Sequence, residues 1–405
     1  MSSRPASAAA VADRVESVRA GPAAFDWRAI LLQVAAVWVV TRLLVFVAAA
    51  VVAWRAGHGV LGSWAQWDTN WYLLISRTAY NSARSANFFP LFPTLIGIGT
   101  WAIGDGLGPV YPAPDPVRLA VALVISNSAA FFALLGVGML ARAESGDAAA
   151  ARVLRLAGAY PMAFFLAAAY TEGLFIAFSA FALLFARRRA WYLASAAAFL
   201  AGLTRSTAVV LIPALVYELG RQHGWWRRAA SSGSIRAVLP QAVAAVGGVP
   251  AAFATYAAYL YFRFGDPLLF LHTQERFWHH RFMPPWQTVA LVVQHLARPA
   301  AGMIIVDVLA VLGFGAVLAL GAKRLPLLLV IYSVGVIYVC LAAPVPTQSD
   351  VIASSARYLL AAFPVFFILA QWIGRRWWLE AGVIAVSALL QLALLRIFVT
   401  GGPVL

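Results

Sequence analysis

The chain has 405 residues, of which 63% are hydrophobic and only 11% carry a charge. Soluble domains have about a quarter of their residues charged, so this composition excludes an ordinary water-soluble protein. The formal net charge of +15 does not indicate a nucleic-acid-binding protein, because the basic residues form short clusters between apolar runs and do not gather on one soluble surface. We therefore expect a membrane protein surrounded by membrane lipids, with no nucleic acid among its partners.

The N-terminal segment, residues 1–28, contains charges and small residues but lacks the apolar core of a cleavable signal peptide. We expect it to be a mobile cytoplasmic tail. Residues 29–405 show no linker and no internal repeat, and they are expected to form a single transmembrane domain with residues 54–117 as its first outer loop. The single cysteine, Cys340, excludes an internal disulfide.

The apolar runs predict about eleven transmembrane helices, so the expected fold class is an all-α polytopic membrane protein. The positive-inside rule assigns the basic clusters between the runs to the cytoplasmic side, which puts the N-terminus inside and the C-terminus outside. These clusters are Arg187 to Arg189, Arg221 with Arg227 and Arg228, Lys323 with Arg324, and Arg375 with Arg376. The predicted spans are approximately 29–53, 118–140, 153–169, 172–186, 190–203, 207–220, 237–262, 302–320, 325–342, 357–373 and 378–399.

The segment 88–104 is also apolar, but it contains Pro90, Pro93, Gly97 and Gly99. If it crossed the membrane, every later loop would change sides and the basic clusters would face outward. Proline and glycine are better tolerated in re-entrant or interfacial segments than in a regular span. We therefore expect a juxtamembrane or re-entrant helix within the first outer loop.

The first outer loop also carries a carboxylate in an aromatic setting, between Trp64 and Ile75. On a helix with 100° per residue, Asp68 shares one stripe with apolar residues, which predicts a helix lying in the membrane interface. A carboxylate within an apolar face would be a stronger proton acceptor than one in water. The alternative is that Asp68 caps a turn or pairs with a nearby arginine such as Arg77. The apolar members of the stripe are Trp64, Trp67, Trp71 and Ile75.

Two further ionisable residues are expected below the outer surface, in connections between short helices. Glu172 follows Thr171, and a purely structural explanation is that Thr171 caps a helix whose dipole favours the glutamate. Arg205 interrupts a long apolar stretch, where a charge costs about 3 kcal/mol and requires an anionic partner. That partner is either a lipid phosphate entering from the side or a carboxylate such as Glu172.

A later outer loop, residues 265–286, is rich in polar and aromatic residues. Its histidines His279 and His280 are adjacent and would point apart, and no compact metal-ligand spacing is present. No metal is therefore predicted, and we expect a polar lid. Arg357, at the outer start of a predicted helix, is either an orientation anchor or a second phosphate ligand. The ionisable and aromatic lid residues include Asp266, His272, Glu275, Arg276, Trp278, His279, His280 and Arg281.

Several segments, taken in order, resemble the PIG-V family, the GPI mannosyltransferase II type of GT-C glycosyltransferase. The resemblance extends from about residue 64 to residue 364 and covers most of the chain. Each motif alone is weak, whereas the ordered set is specific. The segments are Trp67-Asp68-x-x-Trp71-Tyr72, Phe88-Phe89-Pro90-Leu91-Phe92-Pro93, Tyr160-Pro161, Tyr170-Thr171-Glu172, Leu203-Thr204-Arg205-Ser206-Thr207, Gly265-Asp266-Pro267-Leu268, Ser355-Ala356-Arg357-Tyr358 and Phe363-Pro364.

The resemblance implies a GT-C membrane fold whose first outer loop supplies the catalytic aspartate, here Asp68. It also implies a polyprenyl- or dolichyl-phosphate-mannose donor and inverting transfer without a nucleotide sugar. The composition looks bacterial, and a bacterium has no GPI acceptor. We therefore expect another lipid or glycan acceptor, at the outer face of the bacterial inner membrane. Phe92, where the family often has tyrosine, is a minor departure.

Transfer from such a donor requires few catalytic side chains. A phosphate leaving group is already stabilised, so one base for the acceptor hydroxyl and one cation for the phosphate would suffice, in contrast to the two carboxylates of glycoside hydrolysis. We expect Asp68 to be the base, assisted by Glu172. Arg205 and Arg357, with Tyr358, are expected to bind the donor phosphate, and no cofactor is expected. The predicted substrate-binding residues are Trp67, Trp71, Tyr72, Tyr170, Asp266, His272 and Trp278.

The main alternative function is a flippase or transporter of lipid-linked sugars, because broken helices with polar connections also line substrate pathways. Such a protein is expected to show paired, repeated halves, which this sequence lacks. It would also have no need of a carboxylate on an outer amphipathic helix. A catalytically inert scaffold is disfavoured by the several ionisable groups expected at depth.

Overall fold

The computed structural model describes residues 27–104, 115–225, 234–296 and 302–404. Within these ranges the protein is helical and contains no β-strand, which confirms the predicted all-α class. Most of the predicted N-terminal tail, residues 105–114 of the first outer loop, and the predicted basic residues Arg227 and Arg228 lie outside the described residues.

The helices follow one another in the order expected from the apolar runs. They are α1 (Trp27–Arg55), α2 (Asp68–Thr78), α3 (Leu91–Ala102), α4 (Pro116–Ser145), α5 (Asp147–Ala159), α6 (Glu172–Arg187), α7 (Trp191–Gly202), α8 (Leu211–Gln222), α9 (Ser234–Phe264), α10 (Leu269–Arg276), α11 (Pro285–Leu296), α12 (Gly302–Gly321), α13 (Leu327–Ala342), α14 (Ser355–Tyr358), α15 (Pro364–Ile373) and α16 (Trp377–Val399). Short 3-10 turns lie at Gly62–Trp64, Ala83–Asn87, Ala163–Leu166, Ser206–Val210, Ala322–Arg324 and Leu359–Ala361.

Five helical segments of the described chain are long and apolar enough to cross a membrane, or six if one bent pair counts as a single span. Their outer surfaces carry large apolar side chains such as Trp54, Phe262 and Leu320, which are more than three-quarters exposed. Apolar surface of this extent is unfavourable in water and suits contact with lipid. The protein is therefore a multi-pass membrane protein, while the number of eleven spans stays a prediction. The long segments are Trp27–Arg55, Pro116–Ser145, Val238–Phe264, Met303–Arg324 and Trp377–Val399.

The predicted helix over 153–169 is wrong at its C-terminal half. Helix α5 ends at Ala159, and Tyr160 has an extended ψ of 138°. The cause is Pro161, whose ring disfavours a helical conformation of the residue before it. A 3-10 turn at Ala163–Leu166 follows, and its Phe165 ring lies beside Arg357 in the site described below.

The predicted continuous helix over 357–373 is also wrong. The segment Ser355–Ala361 is bent by 81° from α15, which starts at Pro364. Proline has no N–H to continue a helix, but it fits the first turn of a new one. The bend turns the short helix α14, with Arg357, into the interior.

The segment 88–104 forms the single helix α3, whose 12 residues span about 18 Å at 1.5 Å per residue. This length is well below the ~30 Å of a hydrocarbon core, so α3 is too short to cross a membrane on its own. The amide of Leu91 donates to the carbonyl of Leu203 at 3.0 Å, which ties the start of α3 to the connection that carries Arg205.

Two hydrophobic clusters fill the interior and share several residues at their boundary, among them Tyr160, Phe178 and Phe253. The first is built mainly on α4, α6, α8, α13 and α15, and the second is an aromatic cluster around α2, the start of α3 and the turn at 163–166. Helices α4 and α6 pack closely, since a Cβ added at Gly173 would lie 3.0 Å from the amide nitrogen of Ala130. The charged side chains of the site described below lie near the boundary between the two clusters.

Candidate active site

Asp68 starts helix α2, and the predicted amphipathic helix from Trp64 to Ile75 is therefore wrong at its beginning. Trp64 belongs to a separate 3-10 turn, and Trp67 interrupts the chain with a positive φ of 50°. The break has a local cause, since side chains donate hydrogen bonds to backbone carbonyls that would accept from backbone amides in a continuous helix. The Asn70 amide donates to the Ala65 carbonyl at 3.0 Å, and the Tyr170 hydroxyl donates to the Gln66 carbonyl at 3.3 Å.

The predicted stripe is consequently shorter, with Asp68 at its start and only Trp71 and Ile75 on the same face of α2. The Asp68 side chain is 22% exposed and accepts a hydrogen bond of 3.1 Å from Nη1 of Arg357. The sequence offered Arg77 as an example of a local structural partner, whereas Arg357 is 289 positions away. The structure thus joins the predicted base to one of the two predicted phosphate ligands.

Arg357 is the most enclosed charge of the site, with only 3% of its side chain exposed. Besides Asp68, it contacts Glu172, with 3.4 Å between Nε and Oε1, and its Nη2 donates to the Tyr358 hydroxyl at 3.0 Å. Three aromatic rings also surround it: the guanidinium carbon lies about 5 Å from the ring centres of Phe165, Tyr170 and Tyr358. Such rings stabilise a cation in a site with little water.

Glu172 and Arg205 form the second ion pair, with 2.5 Å between Oε1 and Nη1. The same Nη1 donates to the Thr171 hydroxyl at 3.3 Å. Thr171 occupies the N-cap position of α6 and Glu172 its first turn, as the structural explanation expects, but the Thr171 side chain makes no capping hydrogen bond. The Arg205 guanidinium also lies 4.5 Å from the ring centre of Tyr358, which stands between the two arginines.

One oxygen atom connects the two arginines, since Oε1 of Glu172 contacts both guanidinium groups. The other oxygen of Glu172 is buried and has no hydrogen-bond partner. A cavity of about 10 Å³, roughly the size of one water molecule, lies beside these groups. The four charges, Asp68, Glu172, Arg205 and Arg357, therefore sum to zero, and the last three line this cavity.

Two predicted aromatic residues flank this cluster. Tyr72, one turn after Asp68, is buried, and its hydroxyl interacts with the side chain of Thr171. Trp71 stacks on Phe88 with ring centres 5.5 Å apart, and its ring is 5.8 Å from that of Trp278. Trp278 of the outer loop is thus brought to the edge of the site, while Trp67 remains 42% exposed beside Asp68.

Asp266 and His272 form a pair of their own, with 2.6 Å between Oδ2 and Nδ1, on an exposed part of the outer loop. The hydrogen bond from His272 holds the pKa of Asp266 below its ordinary value. No described contact joins this pair to the Asp68 cluster, so its predicted substrate-binding role stays a prediction. Among the described residues, no group of three or more His, Cys, Asp or Glu side chains could hold a metal ion.

Sequence reasoning missed Phe165, Asp307 and the structural use of Tyr160. Asp307 is 1% exposed on α12, and it accepts a hydrogen bond from the amide of Ala356 beside Arg357. A signal for Asp307 was present, because an ionisable residue inside an apolar run usually marks a functional position.

Comparison with protein-family models and with curated protein sequences gave no match. Among solved structures, ArnT from Cupriavidus metallidurans bound to undecaprenyl phosphate aligns with a TM-score of 0.52 and 16% identity, over 93% of this chain and 69% of ArnT. The oligosaccharyltransferase of Archaeoglobus fulgidus in the apo form aligns with a TM-score of 0.48 and 15% identity, over 91% of this chain and 56% of that protein. The similarity to ArnT confirms the predicted GT-C fold of membrane glycosyltransferases.

Proposed function

We propose that this protein is a glycosyltransferase that transfers a hexose from a polyprenyl-phosphate-linked donor to an acceptor hydroxyl. The observation that carries the proposal is the contact between Asp68 and Arg357, because the Arg357 side chain also lines a small cavity together with Glu172 and Arg205. A base in contact with a buried arginine is the minimal set for displacing a phosphate from a sugar, and the partly exposed Arg205 adds a second cation nearby. The GT-C fold, and the undecaprenyl phosphate bound to ArnT, support a lipid-phosphate donor.

In the proposed reaction, the acceptor oxygen attacks the anomeric carbon and the bond from this carbon to the phosphate oxygen breaks. Asp68 takes the proton of the acceptor hydroxyl, and the electron pair of the broken bond stays on the phosphate. Arg357 and Arg205 stabilise the charge that develops there, in a site with little water where such interactions are strong. Attack from the face opposite the leaving group inverts the anomeric configuration.

The phosphate has to compete with carboxylates for both arginines, because Arg357 is paired with Asp68 and Arg205 with Glu172. A donor phosphate that takes over the guanidinium of Arg357 releases the Asp68 carboxylate for the acceptor. The small cavity supports this exchange, since one water volume cannot hold a phosphate while the ion pairs remain closed. We therefore expect the donor to bind before the acceptor.

The finer assignment rests on the ordered motifs that resemble the PIG-V family. They support mannose as the hexose, and the bacterial-looking composition supports a lipid or glycan acceptor other than GPI. Trp67, Trp71, Tyr72, Tyr170 and Trp278 surround the charged cluster and are proposed to contact the sugars. We place the reaction at the outer face of the bacterial inner membrane, with the N-terminus in the cytoplasm.

The Asp68→Asn variant tests the proposal. An amide of the same shape cannot take a proton, so transfer from polyprenyl-phosphate-mannose to candidate acceptors should fall by about 10²- to 10⁴-fold. The variant should keep a cooperative thermal unfolding transition at a somewhat lower temperature, because Arg357 loses a charged partner, so both proteins are assayed well below that transition. The matched control is Asp147→Asn, which removes an exposed carboxylate paired with Arg142 and should retain full transfer. Full activity of Asp68→Asn would remove Asp68 from the mechanism.

A flippase of lipid-linked sugars is the competing function, and the same reconstituted protein separates the two. Movement of the labelled donor across vesicles without formation of a glycosylated product would support a flippase. Product formation without donor movement would support the transferase. The carboxylate that contacts a buried arginine favours the transferase, because moving a lipid needs no base.

A further inference from the structure

Arg357 lies on α14, a helix of only four residues. One helical turn is not stable by itself, because a single turn fixes several backbone angles for one hydrogen bond. The residue before it, Ser354, has a left-handed φ of 70°, a conformation that L-residues other than asparagine and aspartate rarely adopt. The orientation of Arg357 must therefore be imposed by contacts from elsewhere in the fold.

Those contacts converge on Ala356, the residue next to Arg357. Its amide donates to Oδ1 of Asp307 on α12, and its carbonyl accepts a hydrogen bond of 2.8 Å from the hydroxyl of Tyr160. Both backbone polar groups of one residue are thus held by side chains from two other segments. The Tyr160 ring is itself fixed by edge contacts with Phe314 and Phe366.

Asp307 does not act alone, because its carboxyl group contacts that of Asp350. Two ionised carboxylates in contact would repel strongly, so the pair holds a proton between them. Burial raises the pKa of Asp350, as such a pair requires. Asp350 also accepts a hydrogen bond of 3.1 Å from the Ile352 amide, which connects the pair to the segment leading into α14.

We propose that Asp307 and Tyr160 are positioning residues that hold Arg357 for the donor phosphate, and that a hydrogen bond from the protonated Asp307 carboxyl group to Asp350 lets Asp307 remain buried. The inference rests on the proposed function for the identity of the ligand. We call the two hydrogen bonds from Asp307 and Tyr160 to the Ala356 backbone the clamp. The clamp makes no contact with the Asp68 carboxylate, since its effect passes through the backbone of α14. Asp307 and Tyr160 are therefore distinct from the residues that touch the substrate.

Two variants test the clamp. Asp307→Ala removes the acceptor of the Ala356 amide, and Tyr160→Phe removes only the hydroxyl that holds the Ala356 carbonyl. Both should weaken binding of undecaprenyl phosphate by about ten- to hundredfold. This is the size of effect expected when one buried hydrogen bond that positions a charged ligand-binding residue is lost. In turnover, the donor KM should rise more than kcat falls. Asp307→Asn keeps an acceptor oxygen for Ala356 and an amide donor for Asp350, so it should restore wild-type binding.

A double-mutant cycle separates positioning from general destabilisation. In an Arg357→Ala background, Asp307→Ala should have no further effect on undecaprenyl phosphate binding, since its influence passes through Arg357. Additive losses in the two backgrounds would overturn the inference. Glu380→Gln, which removes a carboxylate paired with the partly exposed Arg155 and without contact to Ala356 or Arg357, is the control and should leave binding unchanged.

Hydrogen exchange gives a readout that needs neither ligand nor activity. Peptides covering residues 351–361 should exchange faster in Asp307→Ala and in Tyr160→Phe than in wild type, while peptides from α4 stay unchanged. Unchanged exchange in 351–361 would overturn the clamp. Wild-type protein that neither binds undecaprenyl phosphate nor transfers sugar would instead overturn the proposed function, so the two failures are distinguishable.

Discussion

Glu172 is placed where a single carboxylate oxygen contacts guanidinium groups from two distant parts of the chain. Breaking a buried ion pair by removing one partner leaves an uncompensated charge and typically costs about 3–5 kcal/mol. Here the loss would leave two cations facing each other across Tyr358. Glu172 thus both stabilises the two arginines and competes with any incoming anion.

The Glu172→Gln variant separates these two effects. We expect a lower melting temperature than wild type, because Arg205 and Arg357 lose their shared partner. Undecaprenyl phosphate should raise the melting temperature of the variant by more than that of wild type, because ligand binding stabilises the folded state and the competing charge is gone. An equal ligand-induced shift in both proteins would contradict a site shared by Glu172 and the phosphate. Glu380→Gln serves as the control for the loss of a carboxylate elsewhere.

At the element scale, the position of Glu172 depends on how closely α6 approaches α4. Gly173, the second residue of α6, faces the α4 backbone, where an added Cβ would lie 3.0 Å from the Ala130 nitrogen and 3.2 Å from the Ser126 oxygen. Backbone atoms cannot rotate away as a side-chain end can, so the helix itself would have to move. The first turn of α6 would then carry Glu172 away from Arg205.

Gly173→Ala should therefore destabilise the protein by about 1–3 kcal/mol, the usual cost of overpacking. It should also reduce transfer activity more than its effect on stability accounts for. The matched control is Gly247→Ala in α9, where an added Cβ meets no atom within 4 Å and should stabilise the helix by about 0.5–1 kcal/mol. Thermal unfolding and initial rates on both variants are the measurements, and an unaffected Gly173→Ala enzyme would contradict the close approach.

The sequence predicted elements better than it predicted the contacts between them. Apolar runs identify α1, α4 and α16 because length and hydropathy are local properties. The pairing of Asp68 with Arg357 joins residues 289 positions apart, and no periodic pattern contains it. For Arg205 the sequence allowed two anionic partners, a lipid phosphate or a carboxylate such as Glu172. The pairing with Glu172 is visible only in the three-dimensional contacts.

The errors have local physical causes. The break at Trp67 depends on a hydroxyl from Tyr170 and an amide from Asn70, whose contacts a stripe calculation ignores. Pro161 and Pro364 end helices that hydropathy alone would continue. Arg357 was predicted as either an orientation anchor or a phosphate ligand from its place at the start of a predicted helix. The hydrogen bonds from Asp307 and Tyr160 were not predicted, because they act on the backbone of Ala356.

At the scale of the whole molecule, the predicted orientation places the exposed residues His58 and Gln348 outside and Lys323 and Arg375 inside. Single cysteines introduced at these positions, with Cys340→Ser as the background, test it. A membrane-impermeant maleimide should label the first two in intact cells and the last two only after the membrane is opened. Labelling of Lys323→Cys in intact cells would reverse the assignment. Cys340 is buried, so the background exchange should alter surface reactivity little.

The bridging of two arginines by one glutamate oxygen has a consequence for the end of the catalytic cycle. The proposed donor is a phosphodiester with one negative charge, whereas the spent carrier of the proposed reaction would be a monoester with a charge between about −1.5 and −2 at neutral pH. Two guanidinium groups alone would hold this product more firmly than the donor and slow each turnover. When the carrier leaves, Glu172 can pair with Arg205 again and Asp68 with Arg357. The re-formed ion pairs replace the contacts with the phosphate and so favour release of the carrier lipid.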